Sequence, residues 1–350
     1  MKMKLLAVAI LGALSANAMA QSSVTMYGSI DGGLRELTNV NSAGDNQLTM
    51  ASNGTFRSNR LGFKGSEDLG HGLKANFVLE MGYVTGTGAL NNTTNQLFQR
   101  EARVGVSGNF GSIDLGRQYT VAYKTILAFD PFDYRYPSIT YALSSTAGTR
   151  NSNAVQYSNT VGDVTVRAQY ALGETVGSVK NGSQGAVGAV YAGGPVRLGA
   201  SYTKGNPNIG TATAPDFRDY EHYAIGGAYT IGALTGSVGY VNEKQSTRTV
   251  DNTAKWEWVG LSYKLGARAS LTGAWYHNTI FNTAVSAKAA AGDGKKDQYI
   301  VGVTYGLSKR TTLYSEVDFN KLDGSLAKGG TKPLNQSRQT GMSAGIMHMF

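Results

Sequence analysis

Lys74-Ala75-Asn76-Phe77-Val78-Leu79-Glu80-Met81-Gly82-Tyr83 separates its chemistry by parity. Phe77, Leu79, Met81 and Tyr83 share one face, while Lys74, Asn76 and Glu80 share the other. An alternation of period two is the mark of a β-strand with one apolar and one polar side. The same separation recurs along the chain. Leu61 and Phe63 oppose Arg60 and Lys64; Val104 and Val106 oppose Glu101 and Arg103; Val155 and Tyr157 oppose Ser152, Gln156 and, by extrapolation, Arg150. A soluble sandwich also separates faces, but its buried face would not hold this many charges.

The pattern predicts sixteen strand-like segments: 23–37, 56–66, 72–85, 97–108, 111–119, 151–160, 163–173 and 185–193, followed by 195–204, 220–231, 233–244, 255–265, 267–280, 297–306, 308–321 and 338–350. Connections alternate between short turns, such as Asn109-Phe110 and Ile231-Gly232, and long loops at 38–55, 86–96, 120–150, 205–219, 245–254, 281–296 and 322–337. Short turns on one rim and long loops on the other, with no helical blocks between, predict an all-β chain: a closed antiparallel transmembrane β-barrel. All six prolines fall in loops or turns, as ladder hydrogen bonding requires. Aromatics near segment ends, including Tyr83, Phe98, Tyr263 and Phe350, suit girdles at two membrane interfaces.

Composition narrows the class further. Lys2 and Lys4 precede an apolar run, and Ala18-Met19-Ala20 has the small residues of a signal-peptidase site, so residues 1–20 read as a signal peptide and 21–350 as the barrel. That run is too short for a spanning helix, and no later stretch reaches the roughly 18 apolar residues one needs. The net charge of +9 falls to +7 without Lys2 and Lys4. This excess is spread thinly over an exported chain, which favours an anion-attracting lumen over nucleic-acid binding. Cysteine is absent, so stability must come from closed hydrogen bonding. The four histidines, His71, His222, His277 and His348, are scattered, and neither a Gly-x-Ser-x-Gly elbow nor HExxH spacing is present, so catalysis is not expected. Passive transport needs no cofactor.

Arg60-Leu61-Gly62-Phe63-Lys64-Gly65-Ser66-Glu67-Asp68-Leu69-Gly70, Gly111-Ser112-Ile113-Asp114-Leu115-Gly116-Arg117-Gln118-Tyr119, Arg150-Asn151-Ser152-Asn153 and the terminal Phe350 resemble the trimeric general porins of Gram-negative outer membranes. Gln21-Ser22-Ser23-Val24-Thr25-Met26-Tyr27-Gly28 looks most like the neisserial and β-proteobacterial branch. The resemblance implies a 16-stranded barrel, a homotrimer, and a third long loop folded into the lumen as a constriction. That loop is 120–150, and its Asp130-Pro131-Phe132-Asp133 looks like the acidic side of the eyelet. Arg60, Arg103 and Arg150 match the basic residues that face it, and Glu80 matches an acidic position. Arg100 matches a basic position too, but parity from Val104 turns it outward unless the strand has ended or bulges there. Arg117, outward by parity, matches the subunit interface, although loop 86–96 offers it no carboxylate. Phe350 is the expected assembly signal.

The blander alternatives are that Arg60 and Lys64 are only solvated lumen charges and that Asp130 and Asp133 only shape the turn beside Pro131. The implied function is diffusion of small hydrophilic solutes with anion preference. The implied partners are two further copies, outer-membrane lipids and lipopolysaccharide, and the export and barrel-assembly machinery, with no nucleic acid. Two alternatives remain. One is a solute-selective channel using Tyr123, Phe129, Phe132, Tyr134, Tyr136 and Tyr141; the other is an adhesin or receptor acting through the long loops.

Overall fold

The computed structural model describes residues 23–50, 53–136, 147–284, 289–331 and 333–350. The expected signal peptide, Pro137 and Tyr141 lie outside them. The described residues form seventeen strands: β1 Ser23–Leu37, β2 Gln47–Met50, β3 Arg60–Gly70, β4 Leu73–Gly82, β5 Glu101–Gly108, β6 Gly111–Tyr119, β7 Arg150–Val161, β8 Val164–Ala171 and β9 Gln184–Gly193, then β10 Val196–Gly205, β11 Tyr220–Ile231, β12 Leu234–Gln245, β13 Asn252–Lys264, β14 Ala269–Thr283, β15 Gly292–Gly306, β16 Thr311–Gly324 and β17 Arg338–Met349.

Sixteen of them form the wall. From β3 onward each strand pairs antiparallel with the next. β1 closes the circle, pairing β17 through Ser29–Leu37 and β3 through Ser23–Ser29. A closed sheet leaves no unpaired edge in hydrocarbon, where an unsatisfied backbone group costs several kcal/mol. The remaining strand, β2, pairs with Leu34–Leu37 above the β1–β3 seam. It lies inside loop 38–55, where the alternation gave no strand. Phe350 finishes the closure through two backbone bonds with Gly28, of 3.0 and 3.2 Å, and its ring occupies the space a Cβ on Gly28 would need.

Short turns gather on one rim. At Gly162, Gly194 and Gly232 they use φ of +57°, +55° and +58°, the left-handed region that tight hairpins demand and glycine enters freely. The outer face follows the predicted parity: Val104 and Val106 are 58% and 40% exposed, while Glu101, Arg103 and Glu80 face inward. Outward Tyr or Trp residues occur on every strand from β7 to β15. Tyr170, Tyr202, Tyr223 and Tyr299 lie toward the long loops, and Tyr191, Tyr229, Tyr263 and Tyr305 toward the short turns. Among the described residues, β16, β17, β1 and β3–β6 carry no outward Tyr or Trp; Tyr83, expected in a girdle, falls one residue past β4 and donates its hydroxyl to the Ser29 carbonyl at 3.1 Å.

One parity assignment fails. Register shifts between Gly116 and Gln118, and Asn153 adopts φ +53°. The resulting bulge puts Ser152 on the side of Arg117, whose Nη1 donates to the Ser152 hydroxyl at 2.8 Å. Alternation cannot be carried across an extra residue.

Candidate functional site

The third long loop folds into the barrel and crosses it along the inner wall. It begins as a short helix, Val121–Ile126, whose first turn is capped by the Thr120 hydroxyl accepting from the Tyr123 amide at 3.1 Å. Val121, Ala122 and Ile126 are buried against the wall. Beyond the helix Phe129 stacks on Trp258, with ring centroids 5.7 Å apart, and the Asp130 carboxylate accepts from the Tyr276 hydroxyl at 2.6 Å and from the Tyr134 amide at 2.7 Å. Tyr136 reaches the far wall, where its hydroxyl donates to the Ser315 carbonyl at 3.2 Å and its ring meets Phe56 edge-on at 4.8 Å.

The wall makes room for this path with glycine. A Cβ on Gly226 would overlap the Phe129 ring, and one on Gly302 would lie 2.9 Å from the Tyr136 ring. Loop and barrel therefore form one packed core, with Ile126, Phe129, Phe132 and Tyr136 from the loop and Trp256, Trp258, Tyr276, Ile300 and Tyr314 from the strands.

Opposite and above this loop, charged side chains form a continuous chain of contacts. Arg100 Nε lies 2.6 Å and Arg60 Nη1 3.7 Å from Glu80 Oε1, and the Tyr27 hydroxyl donates to Glu80 Oε2 at 3.1 Å. Arg100 Nη2 and Arg150 Nη2 both donate to the Tyr119 hydroxyl, at 2.7 and 2.8 Å. Tyr119 then stacks on Tyr123 at 4.6 Å and Tyr123 on Tyr134 at 4.5 Å, which joins the wall to the loop. Arg100 points inward because β5 starts only at Glu101, so strand parity does not reach it.

The expected residues therefore separate into groups. Arg60, Arg100, Arg150 and Glu80 come together. Arg103 lies lower, its Nη1 on Asp114 at 2.5 Å and its Nε on Glu101 at 3.3 Å. Asp130 does not present an acidic face to the lumen. It is 3% exposed, spent on fastening the loop, and burial pushes its carboxyl up to about 6. Asp133 stays exposed, left-handed at φ +51°, and pairs with Arg135 at 3.5 Å. Phe129, Phe132 and Tyr136 are buried in the wall and unavailable to stack on a solute, whereas Tyr123 and Tyr134 belong to the stack on Tyr119.

Sequence reasoning missed three cations here. Arg135 lies over the Phe56 ring, 5.3 Å from its centroid. Burial and the positive neighbours Arg60 and Arg135 push the Arg57 guanidinium down from its ordinary value. Lys124, on the loop helix, donates to Gln156 and is lowered to about 8 by burial. Lys124 and Arg135 lie in the third long loop, where alternation gives no face; Arg57 lies in the segment 56–66 read from alternation, where parity with Leu61 turns it outward, but the strand starts only at Arg60.

Residues 7–325 match the Gram-negative porin family. Outer membrane porin protein 32 of Delftia acidovorans is 31% identical over 370 residues, with all of both chains covered. An outer membrane porin of Bordetella pertussis is 28% identical over 408 residues, again across both whole chains. Among solved structures, an anion-selective porin from Comamonas acidovorans superposes with a TM-score of 0.77 at 25% identity, covering 94% of this chain and 100% of that one. The trimer form of OmpT from Vibrio cholerae shares the fold, with a TM-score of 0.65 at 17% identity and coverage of 94% and 99%.

Proposed function

The chain belongs to the Gram-negative porin family, and on that premise we propose that it is an outer-membrane diffusion channel for small hydrophilic solutes and ions that prefers anions. The observation that carries the preference is the contact chain Arg60–Glu80–Arg100–Tyr119–Arg150, joined by Arg57 and Arg135, on a lumen from which Asp130 has been withdrawn into the wall. One carboxylate, Glu80, is shared by two guanidiniums, and the remaining positive charge faces the path. Confinement between walls of low dielectric strengthens each charge, so the narrowest part sets the selectivity. Arg103 contributes less at the eyelet because Asp114 and Glu101 already hold it.

The test is single-channel recording in planar bilayers with a potassium chloride gradient. Replacing Arg60, Arg100 and Arg150 with Ser should move the reversal potential toward cations and raise conductance. Replacing the exposed Lys295 and Lys309 should change it little, because rim charges are screened within about 8 Å at physiological salt. An unaltered reversal potential in the triple variant at low salt would overturn the eyelet assignment.

The protein acts as a homotrimer in this reading. The support is the sector from β17 to β6 that lacks outward Tyr and Trp, together with Arg117 at its edge. Phe350, joined to Gly28 at the seam, is the residue we assign as the assembly signal.

A further inference from the structure

We infer that the lumen holds a second anion site below the eyelet, on the short-turn side, built for a tetrahedral oxyanion of the phosphate or sulfate class. The inference rests on the channel reading above. Register fixes the geometry. Thr25 pairs with Lys64, Lys64 with Val78 and Val78 with Arg103, so all four lie in one row across β1, β3, β4 and β5 and share the inner face. Two strand steps separate Lys64 from Arg103, about 10 Å between backbones, with the small Val78 between them. The row nearer the short turns brings Ser66 beside Asn76, and Ser107 lies one row further down. These residues line a single cavity of about 450 Å³.

The donors are arranged for an acceptor-rich guest. Among the described residues Lys64 has no carboxylate within ion-pair distance; its ammonium lies 5.3 Å from the Tyr27 ring centroid. Arg103, which also lines the cavity, is held in place by Asp114 through Nη1 and by Glu101 through Nε, so Nη2 lies outside both ion pairs. Asn76 Nδ2 donates to the Ser107 hydroxyl at 2.8 Å, so the Ser107 proton remains free to donate. Hydroxyls of Ser23, Thr25, Ser66 and Ser112 line the same cavity, as does the Asp114 carboxylate, whose charge is offset by its ion pair with Arg103, so Lys64 is the cation left for the guest.

A halide would use only the charge of Lys64. A tetrahedral oxyanion carries acceptors in every direction and can engage ammonium, guanidinium and hydroxyls together, and such charge-assisted bonds are the strong ones. Glu80 and Glu101 sit in the row between this cavity and the arginines of the eyelet, so the two cationic zones are separate stations on one path.

The experiment adds inorganic phosphate to the short-turn side of single channels carrying chloride current. Phosphate should reduce that current saturably. Lys64→Ser should raise the half-inhibiting concentration about fivefold and Ser107→Ala about twofold, while Lys64→Arg keeps it near the wild-type value. Arg60→Ser should shift the chloride reversal potential and leave phosphate inhibition in place. Linear dependence on phosphate, indifference to Lys64→Ser, or equal loss in Arg60→Ser would each overturn the site. Loss of the channel reading itself would show separately, as wild-type protein that carries no chloride current at all.

Discussion

Lys124 couples the loop helix to pH. With its ammonium lowered to about 8, it is charged at pH 7 and mostly neutral at pH 9. The groups around it are Glu101 and Arg103 on β5, Asp114 on β6, Gln156 on β7 and Arg167 on β8. Because the folded value lies below that of a free lysine, burial of the charged form costs stability below pH 8, and that cost fades as the pH rises. The lumen charge fades with it, so anion preference in reversal-potential measurements should fall between pH 7 and 9. Lys124→Met should be less selective at pH 7 and flat over the same interval. Asp130 titrates in the opposite sense. Its folded value near 6 exceeds that of a free carboxyl, so the ionised form is disfavoured above pH 6 and loop docking tightens as the pH falls toward 4. Removing the hydroxyl donor with Tyr276→Phe should weaken docking by about 1.5–3 kcal/mol, the worth of a hydrogen bond to a charged group. Open-channel noise at pH 8 should then rise, and drop again at pH 5. Asp130 shows what a sequence conceals. Its place beside Pro131 was legible, but whether it faced water or wall depended on Tyr276, 146 positions away.

Strands were legible because each has a lipid side and a water side, and one period-two pattern records both. β11 spans Tyr220–Ile231, matching the reading from alternation. Segments without two faces left no such trace: β2 within the first long loop, the helix Val121–Ile126 and the bulge at Asn153 all had to come from tertiary structure. Glycine misled in a particular way. Counted along the chain it reads as relief for bending, whereas Gly188, Gly199, Gly226, Gly260 and Gly302 stand where Val121, Phe129, Pro131 and Tyr136 press on the wall. Gly302→Ala, whose Cβ would meet the Tyr136 ring and no wall backbone, should leave the barrel folded and displace the loop, so conductance changes while heat resistance of the barrel does not. Docking also holds Asp133, Tyr134 and Tyr136 at positive φ, strain on the order of 1–3 kcal/mol each that packing must offset. On the membrane-facing flank, Val238→Arg should cost roughly 2–4 kcal/mol in bilayer unfolding equilibria, and Val238→Leu almost nothing.

At the scale of the whole barrel, the outer face is unequal around its circumference. Interfacial tyrosines and tryptophans anchor a protein where hydrocarbon meets headgroups, and strands β7–β15 each carry one. The contiguous arc β17, β1 and β3–β6 has none among the described residues, yet it exposes Met26, Ile30, Leu34, Val104, Val106, Ile113 and Leu115. In the homotrimer proposed above, this anchor-free apolar arc is the face that a neighbouring subunit would cover. Arg117 lies on this arc, donating to the Gln99 carbonyl at 2.6 Å and to the Ser152 hydroxyl at 2.8 Å. A charge left there in lipid would be costly. Three copies meeting along the arc would shelter it and leave the three tyrosine-bearing flanks to the membrane. Arg117→Ala should therefore lower the temperature at which the oligomer separates on gels while single-channel conductance stays within about twofold, because the residue does not face the lumen. Placing Tyr on β5 in the same arc, as Val106→Tyr, should dissociate the assembly by steric conflict, whereas Val187→Tyr on β9 should be tolerated. Equal tolerance of the two, measured by cross-linking of purified protein, would place the interface elsewhere.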